Sequence, residues 1–575
     1  MDSFVSIFFA WTLLLLSLAG IGWVIRRLVA GSCSGDHHGY AFFWGYAAVV
    51  AFLQVWHLFL PVNRASFWLV ISAGCCCMIV CAVGKWRGLV GNRLTVWSIV
   101  TPVACLAYVL WLSSRALGGI RGFDYDAGLY HVPAIKWIEN FPIVPGLANL
   151  HSRFGINSTS LLFDAFAEQG SWSITSLQIA NSLLLAVMGT VSVASIVRLL
   201  RNPRRAPVED WFWAFLLAPV IRHGFDHACS SSTDLPVFVV AMVMCAHLCR
   251  LFFQPISNRD KARIAVTITV FACTGITLKH SFAVLAVAAI VVSWAAAIHT
   301  RCAGLLRRIV CTVSVAALIL VPWGTANVLL TGYALYPFVI AGIQVPWKVD
   351  KSVAVNEMVL ARNWARQPGG ASEIVSHGFR WVFPWCKRLL WPRNIFDALF
   401  PWFVGAAALL TILSSPKTAL RLKTLGFAFP AVLALCAWFF VAPDPRFVWA
   451  ASWWWGGGMA AIAGWGFGTR GKSRLASAVL LGIAACFIAA QCVWHGGILD
   501  ASRFSGYPAI QTTTTATVSG LILNVPVGSE QCWNANLPCT PIANPGLRLR
   551  VPGKLDKGFV VDAIPDVTRE GGGGR

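Results

Sequence analysis

Apolar runs long enough to cross a bilayer follow one another along this chain, separated by short polar breaks, and that rhythm governs the expected fold. A hydrocarbon core is spanned by about 20 apolar residues in helical form. The runs at 4–24, 41–60, 66–83, 94–112, 174–197, 211–221 and 235–253 therefore read as spans. So do 264–278, 281–299, 309–330, 396–414, 425–442, 447–467 and 475–495. The expectation is an all-α polytopic membrane protein with about fourteen transmembrane helices. Segment 211–221 is short for a span, and 264–278 and 281–299 are parted only by Lys279 and His280. The first run has neither a basic leader nor a small-residue cleavage site, so it reads as a retained helix.

Three polar pieces break the rhythm. They divide the chain into N-terminal helices (1–93), a core (94–330) holding a first loop (113–173), a second loop (331–395), C-terminal helices (396–495) and a tail (496–575). In the first loop, Ala134–Asn140 has helical spacing. In the second, Val353–Arg366 sets Val355, Met358, Val359 and Ala365 three to four apart, the period of an amphipathic helix. Trp381, Trp385 and Trp391 follow, an aromatic group suited to a membrane interface. The tail is threonine-rich at 512–515 and runs through prolines to Leu547-Arg-Leu-Arg-Val. It reads as a small β-rich domain ending in a disordered Gly571–Gly574 run.

Composition agrees: 57% of the 575 residues are hydrophobic, 12% are charged and the mean hydropathy is +0.68. No soluble fold of this length hides so much apolar surface. A net charge of +22 would fit nucleic acid only if the cations shared one face, and they do not. They gather in alternate short loops: Arg26 and Arg27; Lys85, Arg87 and Arg93; Arg198, Arg201, Arg204 and Arg205; Arg259, Lys261 and Arg263. The series continues with Arg301, Arg307 and Arg308; Lys417, Arg421 and Lys423; and Arg470, Lys472 and Arg474. The opposite short loops hold little beyond Arg64, Arg222, Lys279 and Arg446. By the positive-inside rule the basic loops are cytoplasmic, and both termini, 113–173, 331–395 and 496–575 lie outside. Most of the 18 cysteines, such as Cys75, Cys76, Cys77 and Cys81, sit in apolar runs as small hydrophobes. Cys532 and Cys539, seven apart in the outside tail, suit a disulfide in an oxidising compartment. With two cysteines and no histidine nearby, a metal site there is the poorer reading.

The chemistry concentrates in the outer loops. Asp124 and Asp126 follow a span by about a dozen residues, with Tyr130 and His131 one turn on. Carboxylates at the mouth of a membrane helix are costly to desolvate and mark function; helix capping explains one of them, Asp126, but not two. They are candidates for a general base, and for the ligands of a divalent metal ion should one take part. Further along, Arg153 suits a phosphate, with a loop salt bridge to Asp164 as the plainer alternative; His151 and Asn157 flank it. Ser230-Ser-Ser-Thr-Asp234 groups four hydroxyls with an acid, for binding a hydroxyl-rich substrate or for capping the next helix. Arg222, His223, Asp226 and His227 precede it, two histidines four apart around an aspartate, a weak metal pattern. Lys279 and His280 are expected at the outer interface, facing a lipid phosphate or an acid such as Asp126. Arg446, in Ala442-Pro-Asp-Pro-Arg-Phe, is a candidate for a leaving phosphate, with a local pair to Asp444 as the alternative.

Four segments together resemble the GT-C-type membrane glycosyltransferases, which take sugars from polyprenyl-phosphate donors. Asp124-Tyr-Asp-Ala-Gly-Leu-Tyr-His-Val-Pro is similar to the acidic element of their first outer loop. Val321-Pro-Trp-Gly-Thr-Ala-Asn, followed by Gly332-Tyr-Ala-Leu-Tyr-Pro, resembles their P-W-x-x-R-N…G-x-P-x-Y-P element, but Ala326 stands where an arginine is common. Pro443-Asp-Pro-Arg-Phe resembles a P-x-x-R-[FY] element, and the two long loops fall where the family's functional loops fall. The nearest likeness is to an uncharacterised bacterial membrane-protein group of that class. That group shares the Gly146-Leu-Ala-Asn-Leu-His-Ser-Arg-Phe-Gly-Ile-Asn-Ser run and a tail like Gln531-Cys-Trp-Asn…Pro-Cys-Thr-Pro.

The resemblance implies a GT-C-like core in a bacterial inner membrane, a polyprenyl-phosphate sugar donor and a lipid-linked or glycan acceptor. It implies an inverting displacement with Asp126 as base, helped by Asp124, and with Lys279, Arg446 and Arg153 facing the phosphate. Tyr130, His131, His151 and His280 complete the expected substrate-binding set. A polysaccharide polymerase or ligase is the enzymatic alternative and would lean on arginine and histidine. A solute or lipid transporter is the other, and predicts ionisable groups near the bilayer midplane.

Overall fold

The computed structural model describes residues 2–31, 39–85, 96–119, 125–298, 304–370, 375, 378–414, 418–467, 473–495, 504 and 506–562. Asp124, the Gly571–Gly574 run, and Arg87, Arg93, Arg301, Lys417, Arg470 and Lys472 of the basic loops lie outside them. The chain begins with α1 (Ser3–Val29), α2 (Tyr40–His57), α3 (Arg64–Lys85) and α4 (Val96–Ala116). The first loop carries a π-helical turn (Ala127–His131), α5 (Val132–Asn140) and α6 (Ser160–Glu168). Then come α7 (Ser176–Arg201), α8 (Val208–His227), α9 (Asp234–Phe253), α10 (Asn258–Leu278), α11 (Ala283–Ile298) and α12 (Leu305–Thr331). The second loop holds α13 (Lys351–Arg366) and α14 (Val382–Leu389). The helices close with α15 (Phe400–Leu413), α16 (Thr418–Val441), α17 (Trp449–Phe467) and α18 (Ser473–Trp494).

Every expected span coincides with a helix, give or take a few residues at its ends. Eleven helices among the described residues are long and apolar enough to cross a membrane, fewer than the fourteen expected. The shortfall is α2, α8 and α17: tryptophan, tyrosine and glycine replace aliphatics in α2 and α17, and α8 carries Glu209, Asp210, Arg222 and Asp226. Segment 211–221 is correspondingly too short as read from the sequence. The helix runs on through Pro219 because Arg222 and Asp226 pair one turn apart, and Arg222 also reaches Asp397 at 3.4 Å. Each charge is matched in place, so the polar turn stays helical in a buried setting.

Helix α9 is buried along almost its whole length and α10 nearly so, whereas α4 is mostly exposed. The centre is aromatic: Trp211, Phe212 and Trp213 of α8 and Trp453 and Trp454 of α17 are completely buried. The central position of α9 matters for chemistry, because its first residue is Asp234, where a carboxylate is favoured by the helix dipole.

The tail forms two small antiparallel hairpins, Thr512–Ala516 with Ile522–Pro526 and Leu547–Leu549 with Phe559–Val561. Its core is not its own: Leu523, Leu547 and Phe559 pack with Tyr130, Trp137, Leu147 and Phe154 of the first loop. Phe559 donates its N–H to the Pro145 carbonyl at 2.9 Å, and Ser6 of α1 meets Ser173 at 2.9 Å. The start of the chain, the first loop and the tail therefore share one end of the bundle.

Of the interfacial tryptophans only Trp391 is exposed. Trp381 and Trp385 are buried against Trp438 and Phe439, because α14 folds back onto the end of α16.

Candidate functional site

The described half of the acidic motif begins the first loop's helix. Asp126 stands at the N-cap of the π-helical turn, but its side chain makes no capping hydrogen bond. The carboxylate is left for a tertiary partner. Single π turns inside helices recur at functional sites because the extra residue re-aims its neighbours. That partner is Arg446, whose Nη1 lies 3.3 Å from Asp126 Oδ2. The same guanidinium turns its Nε to Asp234 Oδ2 at 3.4 Å, and Lys279 Nζ pairs with the other oxygen of Asp234.

Four chain segments thus meet in a quartet of alternating charge, Asp126–Arg446–Asp234–Lys279, with no net charge. The first loop, the α9 N-terminus, the α10–α11 break and the α16–α17 turn supply one member each. Asp234 is nearly buried, with 9% of its side chain exposed, while Arg446 keeps 33%, Asp126 24% and Lys279 21%. The quartet is therefore set in the protein yet reachable from outside. Phe447 lies under both cations, 4.4 Å from Lys279 Nζ and 5.3 Å from the Arg446 guanidinium. Burial alone would lower the Arg446 pKa, but Asp234 and Asp126 outweigh it and hold it above its ordinary value.

The local chain explains why Arg446 points this way. Asp444 accepts the Arg446 backbone N–H at 2.9 Å, and Trp438 donates to the Asp444 carbonyl at 2.7 Å. Asp444 therefore shapes the turn while Arg446 spends its guanidinium elsewhere; the local side-chain pair read from the sequence does not form.

Tyr130 is buried beside the quartet, and burial first, then Asp126, raises its phenol pKa. His131 Nδ1 meets Ser231 Oγ at 3.1 Å. The hydroxyl run is itself a folded turn: the Ser232 N–H donates to Ser230 Oγ, and Asn181 of α7 donates to the Ser230 and Ser232 carbonyls at 2.9 and 3.1 Å. That leaves Asp234 as the run's contribution to the site. Asn181 was missed from sequence; its signal is an asparagine amide within an otherwise apolar run.

Other expected members stand apart. Arg153 pairs not with Asp164 but with Glu357 at 3.0 Å, and Ser152 donates to the same carboxylate at 2.6 Å. Glu357 was also missed, although an acid between Ala354 and Ala365 on the buried face of α13 is a visible anomaly. Arg153 remains near enough to act on Tyr130. His151 is half-buried, and desolvation and then Arg153 lower its pKa to about 4, so it is neutral near pH 7. His280 lies edge-on to Phe338 at 6.0 Å. Lys279 meets Asp234 rather than Asp126, because the loop holding Asp126 is reached only through Arg446. Asn327 bonds the Ala334 carbonyl at 2.8 Å, and Trp323 bonds the Asn157 carbonyl at 3.0 Å. These members of the proline–tryptophan element therefore brace the second loop and join it to the first.

Among the described residues no three histidine, cysteine or acidic side chains converge, and Asp126 and Asp234 both face fixed cations; Asp124, the other expected metal ligand, lies outside the described residues. Nor do His223, Asp226 and His227 form a metal site. Asp226 is held by Arg222 and lies 3.6 Å from His495, while both histidine rings lie against Trp449.

The tail clamps the loop that carries Asp126. Cys532 and Cys539 are joined in a disulfide. Inside that small loop, Trp533 adopts φ +40°, uncommon for a bulky residue. Its N–H donates to the Gly128 carbonyl at 2.9 Å and its ring covers Gly128. Lys136 donates to the Asn534 and Ala535 carbonyls, Gln531 to the Tyr125 carbonyl at 2.9 Å, and Tyr125 to Glu530 at 2.6 Å.

A family model described as "Domain of unknown function (DUF8201)" matches residues 4–453, so the chain belongs to that family. No curated protein and no solved structure matches it.

Proposed function

We propose that this member of the family is a membrane glycosyltransferase of GT-C type. It would transfer a sugar from a polyprenyl-phosphate donor to a lipid-linked or glycan acceptor at the outer face of a bacterial inner membrane. The observation that carries the reading is the quartet: a carboxylate on the first outer loop, tied through one partly exposed arginine to a second acid and a lysine. A positioned carboxylate takes a proton from an attacking hydroxyl, and fixed cations stabilise a departing phosphate.

Asp126 receives the acceptor hydroxyl proton while that oxygen attacks the anomeric carbon. The anomeric carbon–oxygen bond breaks, and the phosphate leaves with the electron pair, its charge met by Arg446 and Lys279. Attack opposite the leaving group inverts the anomeric centre. Tyr130, kept protonated by burial, is a hydrogen-bond donor beside Asp126. Arg153 is committed to Glu357 and has the lesser role.

The second loop supports access for a lipid substrate. Leu360 and Trp364 of α13 are 47% and 59% exposed, and the same helix reaches the first loop through Glu357. The basic loops would face the cytoplasm, which puts the quartet and both termini outside. A transporter would need ionisable groups deep among the spans. The Arg222–Asp226 pair instead sits in the last turns of α8, at the end of the bundle that carries the quartet.

The test is reconstitution with radiolabelled polyprenyl-phosphate sugars. Asp126→Asn is expected to abolish transfer while its elution profile and melting temperature stay those of the wild type. Wild-type transfer by the variant would remove Asp126 from the mechanism.

A further inference from the structure

Helix α7 begins beside the quartet, where Leu177 accepts the Ser230 N–H, and runs 26 residues to Arg201. At 1.5 Å per residue its far end is roughly 37 Å away. There the end of α7 and the start of α18 enclose an open pocket of about 530 Å³, a size typical of small-ligand sites, roughly 300–1,000 Å³.

Its polar rim is three arginines, Arg201, Arg204 and Arg474, and its wall is apolar, with Leu200, Ala478 and Leu481 among the lining residues. All three arginines are exposed, and none has a carboxylate within ion-pair distance among the described residues. Arg198, one turn earlier, is by contrast paired with Asp210 at 2.8 Å. The pocket's rim thus gathers three uncompensated cations, although a compensated one lies within a turn of it. The wall continues onto outward surfaces of both helices, where Leu200 is 55%, Leu475 64% and Val479 53% exposed.

A ring of guanidinium groups at the end of an apolar wall matches one class of ligand, a phosphodiester headgroup with acyl chains attached. Guanidinium forks fit phosphate oxygens, and basic pockets between membrane helices hold anionic headgroups. We infer that Arg201, Arg204 and Arg474 form a binding site for an anionic phospholipid, at the end of the bundle opposite the quartet. The site is independent of the transferase reading, since no residue of the quartet takes part.

Purified protein is equilibrated in detergent with phosphatidylglycerol or phosphatidylcholine, and bound lipid is titrated by native mass spectrometry. Wild type is expected to retain phosphatidylglycerol over phosphatidylcholine. Each arginine-to-glutamine change at these positions is expected to weaken phosphatidylglycerol about fivefold, and the triple variant on the order of a hundredfold if the effects add. Arg259→Gln with Arg307→Gln, two exposed cations in other basic loops, should leave binding within about twofold. The triple arginine-to-lysine variant, which keeps the charge, should fall between and serves as the folding control. Wild-type affinity in the triple glutamine variant overturns the site. So does an equal loss in the Arg259/Arg307 control, which would mean general surface charge. Displacement of the lipid by millimolar inorganic phosphate overturns the lipid as occupant in favour of a free anion.

Discussion

Replacing Gly128 by alanine probes how the tail holds the loop that carries Asp126. A Cβ built at Gly128 lies 2.6 Å from Trp533 Nε1 and 2.9 Å from Cδ2, with Cε2 closer still. Ordinary van der Waals contact begins near 3.4 Å, so one partner has to move. The ring is poorly placed to yield: Trp533 is 6% exposed, follows a disulfide-bonded cysteine, and packs with Ala127, Val132, Leu177 and Cys229. Overpacking of this kind costs about 1–3 kcal/mol. The middle of that range corresponds to roughly a 30-fold rise in the opened population of the loop–tail contact. Hydrogen-exchange mass spectrometry reads it directly, because the Trp533 N–H is bonded to the Gly128 carbonyl. Exchange in 125–140 and 530–540 should accelerate by about that factor, and sugar transfer should fall as Asp126 loses its fixed position. Gly324→Ala is the control, since nothing lies within 4 Å of its Cβ; it should leave both segments unchanged and stabilise α12 slightly. If exchange in both segments stays within about threefold of wild type for Gly128→Ala, the tail does not clamp the loop.

Two more predictions follow from the same region. Arg446→Lys keeps the charge but cannot bridge Asp126 and Asp234 from two separate nitrogens. It should lower kcat at least tenfold while costing only about 1–2 kcal/mol of stability, and unaltered kcat in the transfer assay would refute a phosphate-facing role. Burial, and then Glu168, raise the Glu139 pKa to about 8. The folded state thus keeps a proton that the unfolded chain releases near 4.5, so stability should decline as pH rises from about 5 to 8 and level off above. At 1.36 kcal/mol per unit the effect is at most about 4–5 kcal/mol, and roughly half that after solvent screening. Melting curves of Glu139→Gln should be flatter over that window, and an identical slope would clear Glu139 of the effect.

Hydropathy alone placed the long apolar helices of this chain, because a membrane span is a local property: about 20 apolar residues satisfy their own backbone wherever they occur. The same reading singled out Asp126, Lys279 and Arg446 as charges stranded at helix ends. It failed where local pattern and tertiary need diverge. In α8 a polar turn ended the predicted span, yet Arg222 finds Asp226 and, far along the chain, Asp397, and the helix continues. Trp381 and Trp385 looked interfacial because composition cannot tell a tryptophan facing lipid from one covered by Trp438.

Pairing was decided only by the fold. That Arg446 faces Asp126, 320 positions away, that Lys279 takes Asp234, and that Arg153 takes Glu357 depend on which helix ends become neighbours. Charge attraction is nondirectional along the sequence, so any of these cations suits any of these acids until packing limits the choice. The Trp533–Gly128 contact, some 400 residues apart, is of the same kind: a missing side chain leaves no local mark of what will fill its space.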